Sequence, residues 1–213
     1  DAFTADPACT VVGDRIYAFV GEDKAGVGGW FNMPHWVAYS SSDMVNWTNH
    51  GVVMRAADFP HANPYGAWAA QMVERDGKYY FYVTLDDTRN GKHMIDVAVS
   101  DSPTGPYAPA RSERDPLITD DMTPDSHRAN ADIDPTVFID DDGQAYMYWG
   151  NNALYCVKLN EDMVSFSGDI ITFEIKEAFG SDYEEAPWIF KRNGIYYLMY
   201  AAHVPEHIYY ATS

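Results

Sequence analysis

Positive charge is scarce in this chain of 213 residues. The sequence has 14 Lys and Arg residues against 32 Asp and Glu residues, which gives a formal net charge of −18 at pH 7. Such a surplus of negative charge repels phosphate backbones and anionic lipid headgroups. We therefore expect no nucleic acid partner and no membrane partner. A neutral ligand fits this composition better.

Cysteine is nearly absent, and long apolar runs are missing. Cys9 and Cys156 are too few for a disulfide scaffold, and both lie in apolar segments, where a buried free thiol is the simplest interpretation. No run approaches the roughly 20 apolar residues of a membrane helix. Residues 1–30 lack the basic start and apolar stretch of a signal peptide.

The sequence has no long segment with helical periodicity, but it contains a turn-and-strand repeat. Aromatic residues make up 15% of the chain, which is typical of a folded core rather than a disordered chain. A Gly-containing turn followed by an aromatic or β-branched strand recurs at 13–19, 76–82, 142–148 and 193–200. Four-stranded antiparallel units repeated in this way predict the blades of a β-propeller. A β-sandwich is the alternative.

The repeat also predicts the domain organisation. We expect a single all-β domain over residues 1–213, with blades at roughly 6–55, 67–118, 133–175 and 185–213. The fourth copy stops after its third strand, so about four blades are expected, the fourth of them incomplete. An unclosed ring leaves sheet edges unpaired. We therefore expect further chain in the full-length protein.

Acidic residues stand at the start of the first strand in three predicted blades. They are Asp6 before Pro7, Asp134 before Pro135, and Glu185 two residues ahead of Pro187. First strands line the central channel of a propeller, so these carboxyl groups should converge, with Trp68 of the second blade as an aromatic wall. Converging carboxylates raise one another's pKa, as glycoside hydrolysis requires. The alternative is coincidence, because Asp-Pro is a common turn opener.

Four segments together resemble glycoside hydrolase family 43. They are FTADP at 3–7, WAAQ at 68–71, DIDPTVFIDDDG at 132–143 and EAPW at 185–188, in the order of the family's motifs. The resemblance implies a five-bladed β-propeller that cleaves arabinose- or xylose-containing plant polysaccharides or oligosaccharides by inversion, as an α-L-arabinofuranosidase or a β-xylosidase. It also implies catalytic roles: Asp6 is the general base, Asp134 orients and tunes its partner, and Glu185 is the general acid.

The same resemblance suggests which residues contact the sugar. Trp68 would flank the terminal sugar, and Asn151 would reach the pocket. Trp30, Phe31 and Trp36 are candidate subsite walls because a Gly-rich loop precedes them, with core packing as the alternative for Trp36. Ala186 stands where the family usually has Gly, which is a departure beside the acid.

The chemistry that the resemblance implies requires no cofactor. The resemblance allows a structural calcium ion in the central channel. Residues 140–143 fit a hairpin turn better than a calcium loop. We expect a secreted or periplasmic enzyme whose leader is absent from this chain, with the cytoplasm as the alternative. A non-catalytic carbohydrate-binding propeller is the alternative to the enzyme, but binding alone needs no trio of acids.

Overall fold

Four antiparallel β-sheets make up the protein. The structure is a computed structural model, and it describes residues 2–25, 31–111, 115–123, 130–180 and 182–213. In these ranges the only helical segments are the short helix α1 (Ile175–Phe179) and two 3-10 turns, Ala56–Asp58 and Asp120–Met122. None of these helices is long and apolar enough to cross a membrane. The prediction of an all-β chain is confirmed.

The strands of each sheet follow one another in chain order, and we call the sheets blades 1 to 4. Blade 1 contains β1 (Phe3–Val12), β2 (Arg15–Asp23), β3 (His35–Ser41) and β4 (Thr48–Arg55). Blade 2 contains β5 (Ala70–Arg75), β6 (Lys78–Asp87), β7 (Lys92–Ser100) and β8 (Ala108–Pro109). Blade 3 contains β9 (Thr136–Ile139), β10 (Ala145–Trp149), β11 (Leu154–Lys158) and β12 (Ile171–Phe173). Blade 4 contains β13 (Glu185–Arg192), β14 (Ile195–Ala202) and β15 (His207–Thr212).

The blades are arranged radially, with their first strands side by side. Strand β1 contacts β5, β5 contacts β9, and β9 contacts β13, so the first strands line a common axis. Apolar cores fill the spaces between neighbouring blades, and their large members include Phe19 and Phe81, Tyr82 and Trp149, and Leu154 and Tyr200. A sandwich would instead pack two sheets face to face over one core. The prediction of a propeller is therefore confirmed.

Tight turns join the first and second strands of the blades. Asp76 and Gly77 have φ angles of 53° and 75°, and Asn193 and Gly194 have φ angles of 53° and 78°. Two successive positive φ angles are what a two-residue hairpin turn needs. In blade 3 the Asp140 N–H donates to the Gln144 carbonyl and the Gly143 N–H donates to the Asp140 carbonyl, both at 2.9 Å. Residues 140–143 therefore form a hairpin turn, as predicted.

The two cysteines are free and lie in different surroundings. Cys156 on β11 is buried, as predicted, whereas Cys9 on β1 is exposed. The prediction for Cys9 was wrong because side chains alternate along a strand. The neighbouring Thr10 hydroxyl faces blade 2, where it donates to the Met72 carbonyl. Cys9 therefore lies on the opposite face of β1, which no other blade covers in the described part of the chain.

Candidate active site

A cavity of about 930 Å³ opens where β5, β9 and β13 begin and where β1 bends at Asp6, which lies inside that strand and not at its start as expected. All four blades contribute to its wall: Asp6 comes from blade 1, Trp68 from blade 2, Asp134 from blade 3 and Glu185 from blade 4. The three predicted acids and the predicted aromatic wall thus meet in one concave site, which we call the main cavity. The radial arrangement explains this convergence, because the entry to each first strand lies near the axis.

A repeated distortion of the backbone turns the acids toward the axis. Asp6, Asp134 and Ala186 each precede a proline and have φ angles of 52°, 60° and 56°. The pairing of β1 with β2 and that of β13 with β14 both shift register at this point. Such bulges re-aim a side chain at the cost of local strain. The backbone counterpart of Asp6 and Asp134 in blade 4 is therefore Ala186, and Glu185 lies one residue before it.

Asp134 is held between blades 2 and 4. Its backbone N–H donates to the Thr84 hydroxyl at 3.2 Å, and its Oδ2 accepts a hydrogen bond from the Ala186 N–H at 2.9 Å. Burial raises the pKa of Asp134 to about 8, and the negative charges of Glu185 and Asp6 add to this rise against the opposing hydrogen bond from Ala186. Asp134 and Glu185 are therefore coupled, and the pair retains one proton near neutral pH.

Glu185 is oriented by a buried amide. The Nδ2 of Asn151 donates to its Oε2 at 2.6 Å. The Asn151 backbone is fixed in turn, because its N–H donates to the Ala131 carbonyl at 3.0 Å. Burial raises the pKa of Glu185, and nearby carboxylates add to the rise, whereas the bond from Asn151 opposes it. The structure thus shows Asn151 bound to the carboxyl group of Glu185, whereas the expectation was that Asn151 reaches the sugar pocket.

Asp6 differs from the other two acids because it stays open to solvent. Loss of hydration within the concave wall raises its pKa. No Lys or Arg of the described segments forms an ion pair with Asp6, Asp134 or Glu185. Three carboxyl groups of raised pKa without a neutralising cation are typical of a site that transfers protons.

The aromatic wall is built around Trp68. Its Nε1–H donates to Asp86 Oδ1 at 2.7 Å, and its ring lies between Phe31, at 5.6 Å, and His93, at 5.3 Å, measured between ring centroids. All three rings line the main cavity. Phe31 thus lies where a subsite wall was expected, whereas Trp30 falls outside the described residues. An apolar ring face beside polar groups is a common arrangement for binding a neutral organic ligand.

Trp36 does not line the main cavity, which corrects the prediction of a sugar contact. Its side chain is 1% exposed and packs edge-on against Phe59 and Phe81. Its Nε1–H donates to the Trp68 carbonyl at 2.7 Å. Trp36 faces blade 2, where its ring meets Phe81 of β6, and it therefore belongs to the core between blades 1 and 2. Trp36 therefore supports the backbone of Trp68 from behind.

Two residues of this wall, Asp86 and His93, were missed by sequence analysis. Asp86 Oδ1 lies 3.2 Å from His93 Nε2, and Asp86 Oδ2 accepts a hydrogen bond from Asn63 Nδ2 at 3.3 Å. Burial alone would raise the pKa of Asp86, but the hydrogen bonds from His93, Trp68 and Asn63 outweigh it and lower the pKa. The only signal in the sequence is a carboxylate at the end of an apolar strand, which does not reveal its partners.

No metal site accompanies these residues in the described part of the chain, where no group of three or more His, Cys, Asp or Glu side chains could hold an ion. The structural calcium ion that the resemblance allows stays a prediction, and no step of the chemistry is derived through one.

Comparisons with known proteins find relatives that match along the whole chain. A profile described as "Glycosyl hydrolases family 43" matches residues 1–213. The chain is 32% identical to a xylosidase/arabinosidase of Bacteroides ovatus over 254 residues, which cover 99% of this chain and 74% of the relative. Among solved structures, it is similar to an α-L-arabinofuranosidase from Clostridium thermocellum, with 34% identity, a TM-score of 0.80, and coverage of 98% of this chain and 68% of the other.

A second solved structure is a β-xylosidase/α-arabinofuranosidase from a compost microbial metagenome, described as a calcium-free form in complex with xylotriose. It is 28% identical to this chain, with a TM-score of 0.83 and coverage of 100% of this chain and 74% of the other. The profile match and the Bacteroides relative both cover nearly the whole chain, acids included. The protein is a glycosidase, and the chain belongs to glycosyl hydrolase family 43.

Proposed function

We propose that the main cavity hydrolyses the glycosidic bond of an arabinose or xylose unit by inversion, with Glu185 as general acid and Asp6 as general base. The observation that supports this is the meeting of three carboxyl groups of raised pKa, from three blades, with no cation paired to them in the described segments. Inverting glycosidases need a protonated acid and an ionised base on opposite sides of the sugar.

The reaction is a single displacement. Glu185 gives its proton to the glycosidic oxygen as the bond between that oxygen and the anomeric carbon breaks. A water molecule attacks the anomeric carbon from the opposite face and gives its proton to Asp6. The products are a free sugar of inverted configuration and an alcohol, and the two carboxyl groups have exchanged charge states.

Asp134 acts in this scheme by keeping the acid protonated. It is coupled to Glu185 by charge, and the two groups together hold on to a proton that isolated carboxyl groups would lose below neutral pH. The hydrogen bond from the Ala186 N–H favours the charged form of Asp134. With Asp134 charged, the proton that the two carboxyl groups share lies on Glu185, where the reaction uses it.

A neutral pentose-containing saccharide is the substrate class that fits best. The wall of Trp68, Phe31 and His93 offers ring faces, and the charge of −18 disfavours anionic substrates. Xylosidase and arabinosidase activities in the relatives' names support the same class. Binding without cleavage has no observation in its favour, because a binding module has no use for proton-transfer groups.

Residues 1–213 would then act as one catalytic unit, and the enzyme would work outside the cytoplasm, where plant polysaccharides occur. The predicted fifth blade stays a prediction.

A panel of nitrophenyl pentosides tests the proposal. We expect the full protein to release nitrophenol from an α-L-arabinofuranoside or a β-xyloside, and NMR to detect the inverted anomer as the first sugar product. Release of the anomer with retained configuration would contradict the roles of Asp6 and Glu185. Absence of turnover on every pentoside and on arabinoxylan would contradict the substrate class.

A further inference from the structure

Two neighbouring side-chain amides, those of Asn151 and Asn152, lie between blades 3 and 4 beside the proposed acid. Asn152 Nδ2 donates to Asn151 Oδ1 at 2.5 Å and to Glu184 Oε1 at 3.2 Å. Asn151 Nδ2 in turn donates to Glu185 Oε2 at 2.6 Å. Hydrogen bonds therefore run without a break from the carboxyl group of Glu184 through two amides to the carboxyl group of Glu185.

The backbone next to these two amides is fixed. The Gly150 carbonyl accepts a hydrogen bond from the Tyr183 hydroxyl at 2.9 Å, and the Asn152 N–H donates to the Glu184 carbonyl at 2.6 Å. Gly150 has a φ of 132°, and a Cβ at this position would lie 2.1 Å from the Ala153 carbonyl oxygen, so only glycine fits the turn. The loop that carries both amides is therefore held against the residues that lead into β13.

The direction of these hydrogen bonds follows from the Glu184 end. A side-chain amide donates from its nitrogen and accepts at its oxygen, so each amide has two different sides to offer a partner. A carboxylate only accepts, and the Glu184 carboxylate therefore turns the Asn152 nitrogen toward itself. The same nitrogen meets the oxygen of Asn151. The nitrogen of Asn151 is then the side that faces Glu185.

This direction matters because Glu185 changes its protonation state in the proposed reaction. Burial raises the pKa of Glu185, and the hydrogen bond from Asn151 opposes that rise by favouring the charged form. A donor at Oε2 also leaves the proton to the other carboxyl oxygen, Oε1. A reversed Asn151 amide would present an acceptor to Oε2, which would hold the proton there and oppose its transfer to the glycosidic oxygen.

We propose that Asn152 is a positioning residue, which fixes the Asn151 amide with its nitrogen toward Glu185 and so determines which oxygen of the acid carries the proton. This inference rests on the proposed function for the role of Glu185 as general acid. Asn152 is exposed and lies outside the wall of the main cavity. It therefore acts on the reaction through Asn151 and not by touching the sugar.

A pair of glycine variants of the full protein tests the role of Asn152. Asn152→Gly removes the donor to Asn151 but keeps the backbone, because glycine readily adopts the φ of 56° found at this position. We expect kcat to fall about tenfold on aryl pentosides with poor leaving groups and to change little on those with good ones. Asn193→Gly is the matched control, since Asn193 is also exposed, with a φ of 53°, but lies at the other end of blade 4. The same leaving-group dependence in the two variants would overturn the inference.

A double variant reverses the direction of the hydrogen bonds without changing the charge. In Asn152→Asp/Glu184→Gln the carboxylate and the amide exchange places, so the two side chains keep their summed charge. The carboxylate at position 152 only accepts, and it should bind the Asn151 nitrogen and turn the Asn151 oxygen toward Glu185. We expect the alkaline limb of kcat/KM to move to higher pH, because an acceptor beside Glu185 favours its protonated form. A double variant with the pH profile and turnover of the unmodified protein would overturn the inference.

A titration without substrate separates this inference from the proposed function. The side-chain carboxyl carbon of Glu185 is followed by ¹³C NMR in protein labelled at glutamate, and its signal is assigned by its loss in Glu185→Gln. We expect this signal to titrate at higher pH in Asn152→Asp/Glu184→Gln and at an unchanged pH in Asn193→Gly. If no pentoside is hydrolysed, the proposed function fails, and the titration still decides the inference. An unchanged titration of Glu185 in the double variant would contradict the role of Asn152.

Discussion

Two clusters of acidic side chains lie at opposite ends of blades 3 and 4, and they differ in what surrounds them. At the mouth of the main cavity, Asp134 precedes β9 and Glu185 begins β13. At the other end of the same strands, Asp140 follows β9, and Lys191 lies near the end of β13. The two clusters thus share residue types, blades and even strands.

Partners account for the difference between the clusters. Lys191 Nζ donates to Asp140 Oδ1 at 2.9 Å and to Asp141 Oδ2 at 2.8 Å, and the Tyr196 hydroxyl donates to Asp140 Oδ2 at 2.6 Å. The hydrogen bonds from Tyr196 and Lys191 lower the pKa of Asp140 to about 2. At the mouth, burial and like charges raise the pKa of Asp134 to about 8. Within the described residues no Lys or Arg pairs with the acids of the mouth, and carboxyl groups of raised pKa in a concave site are candidates for proton transfer.

The largest expected effect is the loss of turnover in variants of the mouth cluster. Glu185→Gln and Asp6→Asn should each lower kcat by about 100-fold or more, because each removes a proton-transfer group. Substrates with good leaving groups should partly rescue Glu185→Gln but not Asp6→Asn, since only the acid assists departure of the leaving group. Steady-state kinetics on aryl glycosides of graded leaving-group pKa would measure both effects.

Asp140→Asn is the control from the other cluster and should keep its turnover. If Asp140→Asn lost as much activity as Glu185→Gln, the proposal that only the mouth cluster takes part in catalysis would be contradicted.

The second largest effect is expected in the pH profile of activity. Activity requires Asp6 ionised and Glu185 protonated, so kcat/KM should fall at low pH as Asp6 gains a proton and at high pH as Glu185 loses one. Asp134→Asn removes a negative charge that opposes ionisation of Glu185. The alkaline limb should therefore move to lower pH. An unchanged alkaline limb in Asp134→Asn would show that Asp134 does not tune the acid.

Stability should respond with opposite signs in the two clusters. The folded-state pKa of Asp134 is raised, so the folded protein binds a proton that the unfolded chain releases, and stability falls as pH rises from about 4 toward 8. Asp134→Asn removes this cost and should stabilise the fold by at least about 1 kcal/mol at pH 7. The gain, measured by urea unfolding, should grow between pH 5 and pH 8.

Asp140→Asn should destabilise the fold. The pKa of Asp140 is lowered to about 2, so its contribution is present above about pH 4 and is lost as pH falls toward 2. The deficit of Asp140→Asn relative to the unmodified protein should therefore shrink below pH 4. A stability change of the same sign in Asp134→Asn and Asp140→Asn at pH 7 would contradict the proposed difference in environment.

Sequence patterns predicted the blades because their signals are local. Glycine turns and alternating strands report on backbone geometry within a few residues, and a proline fixes the entry to a strand, as at Pro7 and Pro135. Contacts across the chain leave no such signal. Asp86 meets Trp68 at a separation of 18 residues, and nothing in the sequence links the two. The burial of Trp36 likewise depends on a contact with Phe81 of the neighbouring blade.

Blades 1 and 3 also share a short repeat between their third and fourth strands. Asp43 of blade 1 and Asp162 of blade 3 each begin an Asp-Met-Val turn. The Oδ1 of Asp43 accepts hydrogen bonds from the Val45 and Asn46 N–H groups, and the Oδ1 of Asp162 accepts them from Val164 and Ser165. These carboxylates cap turns and stay outside the main cavity. Recurrence of an acid in register therefore does not by itself identify a catalytic group.

The smallest expected effect concerns Ala186, the counterpart of Asp6 and Asp134 in blade 4. Its φ of 56° is in the left-handed region, which costs an L-residue about 1–2 kcal/mol. Glycine avoids that cost but loses about 0.5–1 kcal/mol of chain entropy on folding. Ala186→Gly should therefore raise the free energy of unfolding by about 0.5 kcal/mol, the difference between these terms. The hydrogen bond from the N–H of residue 186 to Asp134 is a backbone contact, so the substitution keeps it.

Ala108→Gly is the matched control, because Ala108 is also exposed in a strand but has no positive φ. It should lower the free energy of unfolding by about 0.5–1 kcal/mol. Urea unfolding of both variants measures the contrast, and equal losses in the two would mean that the bend at Ala186 stores no strain.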